Sequence, residues 1–413
     1  MRLFLAELKK IWDWRMLLVI VALIGLVWFG LVKGLIDSAS DFTGPTGDYL
    51  LQLHEAYGDT LSDEEWEDFD AGRVRAEAEA AFQAQFQANP LFAKYDIASY
   101  EQWQSFEHDA INSVVWSPAR DVTEMQEDYA SLLSTLYETN PFDVGTPWWR
   151  LGQLDTLADR YDPAQREHSF WWRFVESQQD LSDSPLVRER AGFVLEHMDN
   201  LFDPWIASDI SSFVGLFCGI SLVAVALLVS PLLVTDRARK VRQIQYTSHE
   251  GRAIVGTQLL AVIATSLIVS AVLTGAGLMV YIFSTQAHLY WTARIAGPMY
   301  NLWMYNLTLG NYVFLLGALS IGLNVAVACG AFALSLHSTS LVAMFLKVVP
   351  LVAAVVTIGV FALSSATSVD NVIFSALTRS RLPLPEVWLC VLVLAAGLAM
   401  AVVLARHQRH IEV

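Results

Sequence analysis

A cationic, hydroxyl-rich stretch between two apolar runs carries the densest set of reactive side chains in the sequence. It extends from residue 235 to residue 254. Its candidate functional residues are Asp236, Arg239, Arg242, Tyr246, Thr247, Ser248, Glu250, Gly251 and Arg252. Arginine and hydroxyl groups in such a loop can hydrogen-bond to the surface of a partner protein. Two interpretations remain open at this point: a docking loop, or ordinary positive charge beside a membrane followed by a turn.

The patterns that would indicate catalysis are missing from the sequence. There is no Gly-x-x-x-x-Gly-Lys-Ser/Thr loop to hold a nucleotide phosphate and no Gly-x-Ser-x-Gly turn. His249-Glu250 lacks the second histidine of a zinc protease helix, and the cysteines Cys218, Cys329 and Cys390 all lie singly in apolar runs. We therefore predict no catalytic residues, no metal site and no cofactor bound by this chain.

A few polar and small residues inside the apolar runs are further candidates. Asn324 and Lys347 are predicted pathway residues, because an ionisable or amide group inside a membrane indicates function by default. Lys347 could instead extend its ammonium to the membrane surface. A stripe of small residues recurs every four positions at Ala318, Gly322, Ala326 and Gly330. This stripe predicts close helix packing, within the chain or across a dimer.

Composition shows what must position these residues. Hydrophobic residues make up 54% of the chain and charged residues only 16%, whereas a soluble domain has about a quarter charged. Charge is also segregated, since residues 37–209 hold 35 of the 42 acidic residues but 10 of the 26 lysines and arginines. One region is therefore predicted to be water-soluble and the other to lie in a membrane. The acidic sign argues against nucleic acid as a partner.

Six apolar runs are long enough to cross a bilayer, which takes about 20 residues each. They are Met16–Leu35, Ser211–Leu233, Val255–Phe283, Tyr312–Leu336, Leu341–Leu363 and Val387–Ala405. Lysine and arginine collect before the first run, between the second and third, and after the last. The positive-inside rule then places both termini and the 235–254 loop in the cytosol.

The N-terminal residues allow alternatives. Residues 1–14 alternate apolar and charged side chains, which predicts an amphipathic helix on the cytosolic membrane surface, although a simple extension of the first span fits as well. The first span is assigned to residues 15–36. A signal peptide is the alternative, because Ser38-Ala39-Ser40 offers a cleavage site.

The acidic segment, residues 37–209, is predicted to be a mainly helical domain outside the cytosol. Capping boxes are predicted at Ser62 to Glu65 and at Ser99 to Gln102. The carboxylates between Asp63 and Asp70 lack the glycine and distant glutamate of a calcium loop and are better explained as a helix start. The tripeptide Trp-Trp-Arg, at residues 148–150 and 171–173, predicts buried aromatics or an aromatic platform for an amphipathic ligand or the membrane surface.

The 235–254 stretch resembles the first cytoplasmic loop of ABC-2 type permeases, the membrane subunits of ATP-driven exporters. Asp236, Thr247, Ser248, Gly251 and Arg252 match the family pattern of an acid, a coupling helix, a Thr/Ser turn and a Gly-Arg pair. The sequence departs from that pattern at two positions, with Asp236 where glutamate is usual and Gln258 where a lysine often follows. The close match covers about 25 residues, and the six-span plan covers the whole chain.

The resemblance implies an all-α polytopic membrane protein of the bacterial cell membrane, with residues 210–413 forming spans two to six. It implies a dimer with a second permease copy or homologue, surrounded by lipid. A separate ATPase subunit would bind ATP and magnesium and drive export of a hydrophobic or amphipathic substrate, such as a peptide antibiotic. It also implies a re-entrant element within residues 364–386. The rival interpretation is a non-transporting receptor or immunity protein whose acidic domain binds a ligand.

Overall fold

The computed structural model describes residues 2–41, 47–86, 89–116, 124–136, 146–202, 204–239, 254–295, 306–364 and 385–410. Within these ranges the chain is almost wholly helical, and its only β pairings are two isolated bridges, Thr60 with Asn200 and Arg294 with Thr308. The all-α prediction is confirmed for this part of the chain.

Six helices are long and apolar enough to cross a membrane, as predicted. They cover Trp14–Asp37, Ile206–Ala238, Ile254–Ser284, Leu309–Leu336, Leu341–Leu363 and Glu386–His407. The chain therefore has the composition and helix lengths of a multi-pass membrane protein. The predicted ends of the spans differ from these by a few residues.

The helices of the bundle are numbered here in chain order. They are α1 (Arg2–Ile11), α2 (Trp14–Val27), α3 (Lys33–Asp41), α13 (Pro204–Val229), α14 (Pro231–Ala238), α15 (Ile254–Ser284), α16 (Leu309–Leu336), α17 (Leu341–Ser364) and α18 (Pro385–His410). A π-helical turn, Trp28–Val32, joins α2 to α3. The N-terminal residues predicted to be amphipathic thus form a separate helix, α1, ahead of the first span.

Helix α16 lies at the centre of the bundle and packs against α13, α15, α17 and α18. Its side chains are mostly buried, whereas the first, fifth and sixth spans expose large apolar side chains such as Phe29, Val342 and Leu346. Apolar exposure of this kind is stable only against lipid or another apolar surface.

Nine α-helices lie between the first two spans in the described part of the chain. They are α4 (Gly47–Tyr57), α5 (Asp63–Asp68), α6 (Ala71–Phe86), α7 (Pro90–Lys94), α8 (Tyr100–Trp116), α9 (Glu124–Leu136), α10 (Pro147–Tyr161), α11 (Phe170–Leu181) and α12 (Pro185–Leu195). Three apolar cores hold them together: one around Trp103 and Leu151, one around Trp66 and Leu157, and a small one between α11 and α12 around Val175.

Both predicted capping boxes are confirmed. The Glu65 amide donates to Ser62 Oγ at 3.3 Å and the Ser62 amide donates to Glu65 Oε2 at 2.7 Å. Ser99 and Gln102 make the same reciprocal pair, at 3.3 and 3.1 Å. These hydrogen bonds satisfy amides that have no partner inside the helix, and so define where α5 and α8 begin.

The two Trp-Trp-Arg tripeptides differ in their surroundings. Trp148 packs at the edge of the core around Trp103. In the second tripeptide Trp172 packs against the core of α11 and α12, whereas Trp171 lies beside the exposed ring of Phe170, at 5.1 Å between ring centroids. Trp171 of the second tripeptide is therefore part of an aromatic surface that includes the exposed Phe170.

Residues 199–202 join the inserted helices to the bundle. Arg160, which is 4% exposed, donates to the carbonyl oxygens of Asn200 at 2.6 Å and Phe202 at 3.1 Å. The Asn200 side chain in turn donates to the carbonyl of Arg294 at 2.5 Å, in the segment between α15 and α16. This end of the bundle is called the domain end below.

One expectation lies largely outside the described residues. Residues 365–384, most of the predicted re-entrant element, are outside. Between α15 and α16 the structure describes residues 285–295 and 306–308, and the Trp291 ring lies 6.0 Å from that of Phe314.

Candidate functional site

Four polar side chains from three helices meet at the end of the bundle opposite the domain end. Lys10 of α1 donates to Glu7 Oε1 at 2.7 Å and to Asp236 Oδ2 at 3.2 Å. Gln258 of α15 donates through Nε2 to Glu7 Oε2 and to Asp236 Oδ2, both at 3.1 Å. These four residues, Glu7, Lys10, Asp236 and Gln258, are called the junction below, and this end is called the loop end.

The local sequence explains how each helix reaches the junction. Glu7 and Lys10 are three residues apart on α1, so they lie on the same helix face. Asp236 lies in α14, which begins at Pro231 directly after α13, a position where proline is well tolerated. Gln258 is the fifth residue of α15. The junction therefore joins α1 to the helices on both sides of residues 240–253.

Burial makes these contacts strong. Glu7 and Gln258 are each 2% exposed and Asp236 is 6% exposed. Buried carboxylates and amides need hydrogen-bond partners, because burying them alone costs several kcal/mol. Two carboxylates share one ammonium, so the junction carries one surplus negative charge when all three groups are ionised.

The pKa of Lys10 is raised above its usual value. Burial alone would lower it, but the hydrogen bond that Lys10 donates to Glu7 and the charges of Asp236 and Glu7 raise it by more. A raised lysine pKa contributes stability that is fully present below pH about 10 and is lost only above the folded-state pKa. Lys10 therefore stays charged across the physiological range.

Arg237 makes a second link at the loop end. Its guanidinium donates to the Leu336 carbonyl at 2.6 Å and to the Ser338 carbonyl. These carbonyls lie at and just beyond the C-terminus of α16, where a helix leaves acceptors without partners. Movement of α14 is thereby connected to the central helix as well as to α1.

Helix α1 is also fixed at its C-terminal end. The Trp12 indole donates to Thr265 Oγ1 on α15 at 3.3 Å. Glu7, which the alternation of the sequence assigned to a polar face, is buried against the bundle, and so α1 packs on protein through part of its charged face.

The residues predicted for the 235–254 loop divide into those that the structure describes and those that lie outside the described ranges. Asp236 lies in the junction, and Arg239 is exposed at the end of α14. Arg242, Tyr246, Thr247, Ser248, Glu250, Gly251 and Arg252 lie outside the described residues. Glu7, Lys10, Arg237 and Gln258 were not predicted as site residues. Their charge or polarity beside apolar runs was the available signal, but pairing between distant segments cannot be obtained from spacing.

The predicted small-residue stripe faces neighbouring helices of the same chain. A Cβ added at Gly322 would contact Leu394 at 3.7 Å, and one at Gly330 would meet Leu351 at 2.7 Å. On the other side, a Cβ added at Gly397 of α18 would lie 2.8 Å from the Ala326 carbonyl oxygen. The stripe thus lets the backbones of α16 and α18 approach closely.

Asn324 lies fully buried in the middle of α16. Its Nδ2 donates to Ser221 Oγ on α13 at 2.8 Å and to the Ser320 carbonyl at 2.9 Å. Thr274 of α15 and Ser320 approach each other at 3.3 Å between their hydroxyl oxygens. This polar layer connects three spans, while Asn324 Oδ1 has no hydrogen-bond partner among the described residues.

Lys347 differs from Asn324, because it is exposed on α17, beside the exposed Leu346. It lies six residues from Leu341, the first residue of α17, near the loop end. The two predicted pathway residues are therefore not brought together: Asn324 faces the bundle interior and Lys347 its outer surface. An ammonium at that depth can reach the membrane surface along its own alkyl chain.

Replacing Asn324 by alanine is expected to lower stability modestly. Hydrogen bonds between membrane helices contribute about 0.6 kcal/mol on average and at most about 1.7 kcal/mol. Thermal unfolding of the detergent-solubilised chain measures the loss. Ser335→Ala is the control, since the Ser335 hydroxyl donates to the Phe332 carbonyl of its own helix at 2.7 Å. Equal unfolding midpoints for wild type and Asn324→Ala would contradict a stabilising role for the layer.

Two carboxylates at the domain end were not singled out from the sequence. Glu386, 3% exposed, is the second residue of α18, and Asp209 is partly buried in α13. A carboxylate in the first turn of a helix is stabilised by the helix dipole, which accounts for the placement of Glu386.

In the part of the chain that the structure describes, no three histidine, cysteine or acidic side chains come together as a metal site would need. Comparison of the chain with models of protein families, with curated proteins and with solved structures finds no match.

Proposed function

We propose that this chain is the membrane subunit of an ATP-driven exporter of the ABC-2 type. The observation that carries the proposal is the junction, which links α1, α14 and α15 by hydrogen bonds at the base of the 240–253 segment. A displacement of that segment would therefore be transmitted to α1, α14 and α15, and through the Arg237 hydrogen bonds to the central helix α16 as well.

In this proposal a separate ATPase subunit binds ATP and magnesium and docks on the 240–253 segment. Closure of the ATPase moves α14 and α15 together, as packed helices shift as units in switching proteins. The cationic and hydroxyl side chains of the segment suit a hydrogen-bonding groove. The segment, both termini and the loop end lie in the cytosol, and the inserted helices lie outside it, in a bacterial cell membrane.

The transport unit is a dimer with a second copy or a homologue. Six spans from one chain leave little room for a cargo path, and the central helix is already enclosed by its own neighbours. The cargo is a hydrophobic or amphipathic compound, such as a peptide antibiotic, a proposal that rests on the family resemblance alone.

Purification of the full chain from its native membrane in mild detergent tests this function. We expect an ATPase subunit with a phosphate-binding loop to be retained in a fixed ratio. A Gly251→Pro/Arg252→Glu variant is expected to lose that subunit while keeping its elution volume, because the substitutions alter the loop and no described packing contact.

Arg73→Glu is a matched control, since Arg73 is exposed on α6, far along the sequence from the loop. It should retain the ATPase as wild type does. Absence of any ATPase from repeated wild-type preparations would overturn the proposal and favour the receptor or immunity interpretation.

A further inference from the structure

An exposed aromatic cluster occupies the first turns of α11. Phe170 is 70% exposed and Phe174 is 39% exposed, and their rings stack at 6.2 Å between centroids. Trp171 lies against both rings, at 5.1 and 6.3 Å. These three residues are called the aromatic patch. Exposing aromatic rings to water is unfavourable, so such a cluster indicates a surface that meets an apolar partner.

The antiparallel packing of α11 and α12 determines where the patch lies. In such a pair the first turns of α11 lie beside the last turns of α12. The core between the helices shows this arrangement, because Trp172 and Val175 pack with Val194 and Met198. The patch is therefore at the end of the helix pair that is closest in sequence to α13.

That end of the helix pair adjoins the membrane-spanning bundle. The second span begins at Ile206, eight residues after Met198 in the sequence. Between them, Asn200 is bonded to the Arg294 carbonyl at the domain end of the bundle. The Phe202 ring also contacts Tyr290 there, at 6.0 Å. Because Met198, only two residues before Asn200, packs in the core of the pair, the patch end of the pair is held near the level where the apolar surface of the bundle ends.

Arg173 is exposed next to the patch. Aromatic rings together with arginine are the side chains that favour the boundary between lipid tails and headgroups, where the rings contact the tails and the guanidinium contacts phosphate. A patch that binds a soluble partner does not have to lie at the end of the membrane-spanning bundle. A patch that binds lipid does, because a bilayer around the six spans ends near this level.

We propose that the aromatic patch inserts into the headgroup region of the bilayer and holds the α11–α12 pair against the membrane surface. The pair would then act as a second, lipid-mediated attachment of the inserted helices, in addition to the protein contact through Asn200. The proposal depends on membrane insertion of the six spans but not on which substrate or ATPase the chain uses.

Spin labels on the full-length chain test the proposal. The chain is reconstituted in nanodiscs of phosphatidylcholine and phosphatidylglycerol after Phe170→Cys labelling, and collision rates with oxygen and with a water-soluble nickel chelate are measured. Asp180→Cys is the matched control, because Asp180 is exposed at the other end of the same helix, about 15 Å away at 1.5 Å per residue. Wild type, whose three cysteines are buried, gives the background signal.

We expect oxygen to exceed the nickel chelate severalfold in collision rate at position 170 and the reverse at position 180. Equal access of the chelate to both positions would overturn the proposal. Exclusion of both reagents from position 170 would also overturn it, since that result indicates a protein contact such as a second copy. A Phe174→Cys label provides an independent second position and should follow Phe170→Cys.

Discussion

Replacing Gly397 by leucine is expected to separate α18 from α16 and lower the free energy of unfolding by about 3 kcal/mol. A Cβ at this position would lie 2.8 Å from the Ala326 carbonyl oxygen and 2.9 Å from its Cα. Both neighbours are backbone atoms of the central helix, so no side-chain rotation can relieve the overlap. The thermal unfolding midpoint of the purified chain measures the effect.

A leucine at Gly275 is the matched control for this substitution. Gly275 lies within α15, and a Cβ built there meets no other heavy atom within 4 Å. Its replacement should leave the midpoint close to wild type, because leucine is a better helix former than glycine and has open space. Equal unfolding midpoints for Gly397→Leu and Gly275→Leu would contradict the close approach of the α16 and α18 backbones.

The close approach of α16 and α18 at Gly397 shows what sequence patterns can and cannot predict. The stripe from Ala318 to Gly330 predicted that α16 would approach a neighbour closely, and periodicity was sufficient for that. It did not identify α18 as the neighbour, nor Gly397 as the opposing residue, because the pattern on one helix contains no information about which surface it meets.

The spans and caps were predictable for a physical reason. An apolar run of about 20 residues has few stable alternatives to a membrane helix. A capping box such as Ser62 to Glu65 satisfies its amides within four residues and needs no distant partner. Both features are determined locally, so the sequence alone was enough.

The junction was not predictable in the same way. Alternation placed Glu7 on a polar face of α1, and a polar face can meet water, headgroups or protein. Its burial depends on Asp236 and Gln258, which are more than two hundred residues away. Of the residues predicted for the docking loop, the structure describes two, Asp236 in the junction and the exposed Arg239; the others fall outside the described residues.

Replacing Lys10 by methionine is expected to lower the free energy of unfolding by about 2 kcal/mol. Removing one partner of a buried ion pair costs about 3 to 5 kcal/mol, and the partial exposure of Lys10 reduces that figure. The variant leaves the buried carboxylates of Glu7 and Asp236 without their shared ammonium, while both still accept from the Gln258 amide. Thermal unfolding in detergent measures the loss, and Lys9→Met is the control, since Lys9 is the exposed sequence neighbour of Lys10 and is not one of the four junction residues.

A second substitution separates charge repulsion from lost packing. Neutralising one carboxylate in the Lys10→Met/Asp236→Asn variant removes the repulsion while keeping the shape of the side chain, so we expect it to recover much of the lost stability. Recovery would show that Lys10 stabilises the junction by charge. A double variant less stable than Lys10→Met alone would contradict that explanation. If the exporter proposal is correct, Lys10→Met should also weaken ATP-driven transport more than Lys9→Met does, because α1 would lose its direct hydrogen bond to α14 on one side of the docking loop.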